Sequence, residues 1–402
     1  MIQRLRGDRR ILSGVIAILV VILGGSGILL ASGLRPASAP APPPTGVAAI
    51  DPPAPTSTVP AASASPSPPA SVAPSPSPTP LIYEDLSGVV TTAALAHRYP
   101  IAVMIDDSPA ARPQSGLSVA SIVWQAPAEG GIPRYMAIFQ SGTPPRIGPV
   151  RSARLYFARW AAEWKAVYLH AGGPPPLRDF LAGRQDLVLD VNGRATRRVS
   201  FRRAPHNLYT DGKRIRGYAE KSKRATSKRL AYDPTEPGRL QPFADGAAEA
   251  DRGPDGGSIR VTYTSERVSY RYDRTSNTWL RTVDGRAQHD ALAKGDRGYG
   301  VIGSGPRIAP TSVIVMVVPI RRSKAIEGAA LGRLEADSIG KNTAWVFADG
   351  WVTKGTWHKR SPSDRTRFLD AAGKEIVLPR GQLFIQVIPK ASAASFKVAA
   401  AD

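Results

Sequence analysis

The sequence predicts an α/β N-terminal domain and a mainly-β C-terminal domain, preceded by one transmembrane helix and a disordered Pro-rich stalk. Three observations predict this fold class. An uncharged apolar run and a Pro-rich tract lie within the first 80 residues, strand patterns mix with a helix pattern in residues 81–235, and short strands separated by turn signals fill residues 258–402. With 402 residues the chain is long enough for two domains. Residues 236–257 are the predicted linker between them.

Residues 11–34 are apolar and contain no charged side chain. As a helix rising ~1.5 Å per residue they would span about 36 Å, more than the roughly 30 Å hydrocarbon core of a bilayer. Four arginines lie in residues 1–10, so the positive-inside rule predicts a basic cytoplasmic tail and an extracytoplasmic body. Ala37-Ser38-Ala39 leaves open a cleaved signal peptide. In either case the body is predicted to lie outside the cytoplasm, in the cell envelope.

Residues 35–80 hold 16 of the 38 prolines and almost no charged or aromatic side chains. A segment of this composition cannot bury enough apolar surface to offset the entropy lost on ordering. We therefore predict a disordered linker that acts as an extended spacer between the membrane and the body. The chain has no cysteine, which excludes disulfides, thiolate catalysis and a lipid-modified cysteine anchor.

The body is strongly basic. The net charge of the chain is +21, and removing the +3 of the first ten residues leaves +18 on residues 81–402. Thirteen Lys or Arg side chains face only Asp211 and Glu220 between Arg194 and Arg229, which gives this basic run a charge of +11. Such a surface attracts anions such as nucleic acid, anionic lipid or an acidic polymer. A solvated basic face without a ligand is the other interpretation.

Four apolar runs in residues 81–235 predict strands, at 100–105, 121–125, 134–139 and 166–169. A helix is predicted after Val150, with Ser152 as its N-cap and an apolar face formed by Phe157, Trp160, Ala161 and Trp164. Polar side chains gather where these elements end, and ligands of α/β sheets bind beyond the carboxyl ends of strands. The candidate ligand-binding residues at these ends are Asp106, Asp107, Arg112, Glu129, Arg134, Arg151, Ser152, Arg154 and His170.

Two interpretations of these residues remain open. Arg151 and Arg154 flank the predicted helix start, where unpaired backbone N–H groups favour an anion, and could grip a phosphate. Alternatively, the arginines pair with Asp106, Asp107 and Glu129 in a structural network. Two further candidates, His206 and Asn207, lie inside the basic run, and His206 is either an acid–base group or a structural hydrogen-bonding side chain.

Residues 258–402 read as strands and turns. An alternating pattern at 261–272 predicts one strand, and 311–318 predicts a fully apolar strand. Asp349-Gly350 predicts a two-residue hairpin turn, and 383–388 predicts the last strand. The tryptophans of this half are expected in the core or at edges, with stacking on sugar rings as a minority interpretation. They are Trp279, Trp345, Trp351 and Trp357.

Several separated motifs carry a family resemblance. They are PIAVMIDDSPAARPQSGL from residue 100, EGGIPRYMAIF from 129, GPVRSAR from 148, HAGG from 170, APHNLYT from 204, GTWHK from 355 and GKEIVLPRGQLFIQVIP from 373. Together they make residues 85–390 resemble the YerB-like family of bacterial envelope proteins. The resemblance implies a two-domain protein of poorly defined function, in a family with many lipoprotein-like members.

The chain departs from that family at three points. It has an apolar segment in place of a lipidated cysteine, and it has Ser121 and Gln125 where the family commonly has acidic residues. If an acid at either position were catalytic, this member would be impaired. A weaker similarity, in the order of anchor, Asp-ending strand and Arg-rich turns, links the chain to the LytR-CpsA-Psr envelope phosphotransferases. Those enzymes bind polyprenyl-pyrophosphate sugars through arginines.

Three functions follow as hypotheses. We favour a non-enzymatic envelope protein, without a cofactor, that binds an anionic wall polymer or a wall-synthesis protein. The alternative is a Mg²⁺-dependent phosphotransferase or hydrolase acting on polyprenyl-pyrophosphate-linked glycans. In it Arg151 and Arg154 hold phosphates, Asp106 or Asp107 positions Mg²⁺, and His170 or His206 moves the proton. Nucleic-acid binding rests on charge alone and is disfavoured by the predicted extracytoplasmic location.

Overall fold

The computed structural model describes residues 80–221, 232–236, 240–291, 305–323 and 333–401. The predicted cytoplasmic tail, the transmembrane helix and the linker up to residue 79 lie outside these ranges, as do residues 222–229 of the basic run. Within the described ranges, none of the helices combines the length and the apolar character needed to cross a bilayer. The described residues belong to one unit, Pro76–Asp402, with a mixed, sheet-rich fold and some helices.

The four apolar runs predicted as strands in the first half are all strands. Elements there are α1 (Ala93–Ala96), β1 (Ile101–Asp106), β2 (Ile122–Pro127), β3 (Pro133–Phe139), α2 (Leu155–Ala162), β4 (Val167–Leu169), α3 (Pro175–Gly183), β5 (Leu189–Asp190), β6 (Arg197–Arg198), β7 (Leu208–Tyr209) and α4 (Gly212–Lys221). Short 3₁₀ turns at Pro109–Ala111, Leu117–Val119 and Glu129–Gly131 connect them.

The prediction that Ser152 caps the helix is wrong. Helix α2 begins at Leu155, and its N-cap residue is Arg154, which makes no side-chain capping bond. The segment before α2 forms backbone hydrogen bonds with other parts of the chain. The amide of Arg151 donates to the carbonyl of Met104 (3.0 Å), and the carbonyl of Arg151 accepts from the amide of Ala171 in the loop after β4. Tertiary pairing of the backbone therefore overrides the local N-cap signal.

Strands dominate the second half. They are β8 (Phe243–Ala244), β9 (Ser258–Thr262), β10 (Arg267–Asp273), β11 (Thr278–Val283), β12 (Arg286–Ala287), β13 (Ser312–Val317), β14 (Ile320–Arg322), β15 (Leu334–Ala336), β16 (Gly340–Ala348), β17 (Trp351–Lys359), β18 (Arg367–Leu369), β19 (Leu378–Pro379), β20 (Leu383–Ile388) and β21 (Ala394–Lys397). Further 3₁₀ turns lie at Glu249–Asp251 and Ala391–Ala393.

Two strand predictions for this half need correction, and one turn is confirmed. The stretch 261–272 is two strands, since a turn between Tyr263 and Glu266 separates β9 from β10. The strand at 383–388 forms as β20 but is followed by β21. The hairpin turn joins β16 to β17, with positive φ at both Asp349 and Gly350, as a tight two-residue turn of this kind requires.

One ten-stranded sheet draws strands from both halves, in the order β18-β17-β16-β13-β20-β2-β3-β1-β4-β5. Strand β20 is parallel to both of its neighbours, β13 and β2. The N-terminal and C-terminal halves are therefore joined by backbone hydrogen bonds in the middle of one sheet. A five-stranded sheet, β12-β11-β10-β9-β21, is formed from the second half alone.

The central strands of the ten-stranded sheet, among them β1, β2, β13 and β20, are buried on both faces. Since side chains alternate along a strand, Trp124 of β2 points to the face covered by α2, where its ring stacks on Trp160 at 4.4 Å. Neighbouring Val123 points to the opposite face, which packs on the five-stranded sheet through residues such as Tyr270 and Phe384. The carboxyl end of β1 and the amino end of β3 meet at one edge of this layered body, with Asp106 opposite Arg134.

Candidate functional site

Asp106 forms a cluster with Ser108, Arg151 and His206, which we call the Asp106 cluster. Its Oδ2 lies 2.7 Å from Nδ1 of His206 and 3.0 Å from Nε of Arg151, while Oδ1 accepts from the amide of Ser108. Asp106 is buried, whereas His206 and Arg151 keep 21% and 29% of their side chains exposed. The cluster therefore holds a carboxylate under two groups that reach the surface.

The Asp106 cluster is not a hydrolase triad. Ser108 Oγ lies 3.3 Å from Nδ1 of His206, the same nitrogen that Asp106 contacts. In a serine triad the acid and the hydroxyl meet opposite ring nitrogens, so that the ring can pass a proton between them. Here Asp106 orients the ring of His206. The ring cannot activate the Ser108 hydroxyl by taking its proton at the opposite nitrogen, because the hydroxyl lies on the same side as the carboxylate.

Glu129 holds two arginines in a second cluster beside the first. Its carboxylate accepts from Arg134 (2.9 Å) and pairs closely with Arg154, and Arg134 also donates to the carbonyl of Ser152 (3.0 Å). Burial raises the pKa of Glu129, but the two guanidinium groups outweigh burial and hold it below its ordinary value. Two arginines on one carboxylate leave a local excess of one positive charge at this edge.

Asp107 points away from Asp106 and belongs to a third cluster, which we call the Asp107 cluster. This cluster joins the two halves of the chain. Asp107 is fully buried, and both its Oδ2 and Oε1 of Glu266 accept from the amide of Gln125, at 2.5 and 2.6 Å. Arg112 pairs closely with Glu266 and at 2.9 Å with Asp284. Burial raises the pKa of Asp107 to about 7, against the lowering effect of nearby arginines.

The Asp107 cluster continues into a buried polar network that sequence reasoning missed. Arg281, fully buried between the two sheets, donates to Gln125 Oε1 (2.6 Å) and to Tyr270 (3.0 Å). Gln386 of β20 also donates to Tyr270 (2.9 Å). The sequence offers one signal for this network, since Gln125 and Gln386 are polar residues inside otherwise apolar strands. Their partners lie more than 100 residues away.

The remaining candidates lie apart from these clusters. His170 is buried, with Nδ1 3.0 Å from the carbonyl of Gly172 and Nε2 3.0 Å from Asp190, so both ring nitrogens are occupied. Asn207 accepts from Arg198 at 2.6 Å. Asp106 and Asp107 do not converge on a common position. In the described ranges no three His, Asp or Glu side chains lie close enough together to hold a metal ion.

Helix α4 displays part of the basic run on the surface. Asp211 precedes it and accepts from the amide of Arg214 (2.7 Å), which is N-cap geometry. Ile215 and Ala219 are buried, and Arg216 is buried with its guanidinium bound to the carbonyls of two other segments. Because these residues fix one face against the body, the other face of the helix carries its cations into solvent.

A cavity of about 510 Å³ lies along that outer face. Four cations and one acid are among the residues that line it: Arg194, Lys213, Arg214, Lys221 and Asp211. Arg214 and Arg197 both lie 3.7 Å from Asp211, and Arg194 donates to the hydroxyl of Tyr218 (3.3 Å). The cavity therefore keeps a net charge of +3 in an open, solvent-accessible position.

Comparison with known proteins agrees with the resemblance found in the motifs. Residues 86–225 match the model described as "Protein of unknown function (DUF3048) N-terminal domain", and residues 259–385 match the model of its C-terminal domain. The chain belongs to this family. The DUF3048 N-terminal and C-terminal domains share the ten-stranded sheet, because β20 pairs with β2.

A DUF3048 relative is the Bacillus subtilis (strain 168) protein named "Putative lipoprotein YerB". It is 35% identical over 207 residues, which cover 50% of this chain and 60% of the relative's length. The crystal structure of YerB protein from Bacillus subtilis superposes with a TM-score of 0.63 at 27% identity, covering 78% of this chain and 99% of that chain. Membership of the YerB-like family, predicted from the motifs, is thereby confirmed.

Proposed function

We propose that this DUF3048 protein is anchored in the cell membrane through residues 11–34, with its body outside the cytoplasm, and binds an anionic wall polymer without chemistry. A long apolar segment behind four arginines, followed by a Pro-rich tract, supports the anchor and the spacer. The lipoprotein name of the YerB relative supports an attachment at the cell surface. The N-terminal α/β and C-terminal mainly-β domains then form the body that the spacer presents.

The cationic cavity beside α4 is the observation that carries the binding proposal. Its cations are exposed, and Arg197, Arg198 and Arg203 of the same basic run are exposed as well. The arginines at the strand ends differ, since Arg112, Arg134, Arg151 and Arg154 are each held by a carboxylate of the chain. An elongated polyanion gains more from exposed cations on an open surface than from arginines that are already held by carboxylates of the chain.

The test replaces two cations of the cavity. Full-length protein in detergent micelles is titrated with poly(glycerol phosphate), and Lys213→Ala/Lys221→Ala is compared with wild type by calorimetry. We expect the double variant to bind at least tenfold more weakly, because two positive charges are removed from the cavity. Wild-type binding should also weaken steeply as salt rises from 50 to 300 mM, since screening shortens the range of surface charges.

The matched control is Lys341→Ala/Lys390→Ala, which removes two exposed lysines elsewhere on the body. It changes the net charge equally, so its affinity should stay within twofold of wild type. Equal weakening by both double variants would show that total charge, and not the α4 face, governs binding. Failure of wild type to bind the polymer, together with capture of an acidic wall-synthesis protein through the same lysines, would assign the face to a protein partner.

The Asp106 cluster is the observation that favours an enzyme as the second candidate. His206 and Arg151 reach the surface over a buried carboxylate, beside the excess charge at Glu129. That arrangement could hold a pyrophosphate and move a proton. The candidate requires Mg²⁺-dependent turnover of a polyprenyl-pyrophosphate-linked sugar by the same purified protein, abolished in Arg151→Ala and His206→Ala. Retained turnover in both variants excludes this cluster as the catalytic site.

A further inference from the structure

The C-terminal half carries a second open cavity of about 800 Å³, which we call the groove. It lies between β16 and β17, the loop that contains Asp370 and Lys374, and the end of the chain around Phe396. None of its lining residues belongs to the clusters at the strand ends or to the cationic cavity. Its volume is within the range of roughly 300–1,000 Å³ that is typical of small-molecule sites.

An aromatic pair forms the apolar side of this groove. Trp345 of β16 is half-buried, and its ring lies 5.2 Å from that of Phe396, tilted by 53°. Phe396 also contacts the ring of Phe347 (4.9 Å), so the pair is supported from the core. At the rim, Val377 leaves 48% of its surface exposed. The groove therefore offers a rigid aromatic surface in a position that solvent reaches.

The polar side of the groove is balanced in charge. Two lysines, Lys354 and Lys374, face two acids, Asp370 and Glu375, so the lining carries no net charge. Glu375 is already paired with two arginines, whereas Asp370 uses only Oδ1, for the amides of its own loop. Within the described residues, neither lysine forms an ion pair. Donors and an acceptor thus remain available beside the aromatic surface.

We propose that this groove binds an uncharged sugar unit of a glycan, with the ring stacked on Trp345. A pyranose presents an apolar C–H face and an edge of hydroxyls, and this groove offers an aromatic face flanked by Lys354, Lys374 and Asp370. The carboxylate of Asp370 would repel a polyanion, and a wholly apolar segment would bury the unpaired lysines at a cost. The proposal is independent of the cationic cavity, since the residues and the ligand chemistry differ.

The experiment titrates the full-length protein in detergent micelles with N-acetylchitotetraose and with maltotetraose, followed by calorimetry. Trp345→Ala should weaken binding of the preferred oligosaccharide at least tenfold. The control is Trp351→Ala, because Trp351 is a half-buried tryptophan of the same hairpin that does not line the groove. Its affinity should stay within twofold of wild type. The Lys213→Ala/Lys221→Ala variant should bind the sugar normally, which separates this proposal from polymer binding at α4.

A second variant keeps the proposal testable if Trp345→Ala unfolds. Ala372 is exposed on the groove loop, so Ala372→Trp should fill the groove without disturbing the core and reduce sugar binding at least tenfold. Absence of wild-type binding to both oligosaccharides at 10 mM overturns the proposal. So does unchanged affinity in Ala372→Trp, or binding of an extended apolar peptide in the groove when neither sugar binds.

Discussion

At the scale of single residues, the neighbours Asp106 and Asp107 lie in different surroundings and make different contacts. Successive side chains of an extended chain point to opposite faces, so Asp106 meets Arg151 and His206 near the surface while Asp107 meets Gln125 in the interior. The sequence marks both as residues at the end of a strand. It does not assign either to a face, because that depends on which sheet covers the other side.

Asp107 should make stability depend on pH in a defined direction. Burial raises its pKa from 3.8 to about 7, so the folded protein holds this proton more tightly than the unfolded chain does. The stabilisation is complete below about pH 4 and is lost as pH rises to about 7. Asp107→Asn cannot ionise. Its free energy of unfolding relative to wild type should therefore increase from pH 4 to pH 7, as measured by urea denaturation.

The difference between the two proteins is the quantity that decides this prediction. Other titrating groups, such as Asp290, whose pKa burial raises to about 6, contribute equally to both proteins and cancel. If the difference between variant and wild type is the same at pH 4, 5.5 and 7, Asp107 does not titrate in this window and its assigned protonation is wrong.

Residue types proved easier to predict than residue partners. Asp106, Glu129, Arg134, Arg151 and Arg154 do gather at one edge, because the apolar strands that end beside them are local sequence signals. Their pairing could not be read from the sequence, because a long arginine can reach many acids. The contact of Arg112 with Glu266 spans 154 residues, and no local pattern contains it.

At the scale of elements, helix α2 is fastened to the second half by a buried ion pair. Glu163, the C-cap residue of α2, lies 3.0 Å from Lys359 at the end of β17, and both side chains are almost fully buried. Lys359 also donates to the carbonyl of Pro362 (3.2 Å), and Thr366 donates to Glu163 (2.5 Å). The helix is thereby held by charge at its end as well as by its apolar face.

Lys359→Met should be strongly destabilising. It leaves Glu163 buried without its lysine, and breaking a buried pair by removing one partner costs about 3–5 kcal/mol. The control is Arg360→Ala, the next residue along the chain, whose pair with Asp364 is at the surface with 76% of the arginine exposed. That change should cost less than about 1 kcal/mol. Urea denaturation measures both, and equal losses would contradict a special role for the buried pair.

The start of α2 shows where element prediction fails. Phe157, Trp160 and Ala161 lie on the buried face of α2, as their helical spacing predicts, whereas Trp164 is buried just beyond the end of the helix. The boundary was misplaced because Arg151 and its neighbours pair with β1 and with the loop after β4. Element existence follows from local periodicity, whereas a boundary depends on what the flanking backbone can bond to.

At the scale of the whole molecule, the two DUF3048 domains are joined through one sheet. Apolar runs indicate the strands of each half, but the sequence does not show that β20 lies between β13 and β2, because strand order is a long-range property. The nearly apolar sequence of β20, interrupted by Gln386 alone, is a local hint, since central strands of a covered sheet are mostly apolar.

Fragments divided between the domains should therefore not fold separately. Residues 80–257 lack β20 and leave the edge of β2 open, and residues 258–401 lack the strand on the other side of β20. We expect each fragment alone to show few protected amides in hydrogen exchange, and an equimolar mixture refolded together to recover the pattern of the intact chain. A stable, well-protected 80–257 fragment would show that the first domain is autonomous.

The position of β20 also sets an order in time. Residues 383–388 follow both β2 and β13 along the chain, yet they lie between those two strands in the sheet. Until they arrive, β2 and β13 each present an unpaired apolar strand edge, the kind of surface that recruits wrong partners. A truncation that removes residues 383–388 would therefore open the centre of the ten-stranded sheet and not one of its edges.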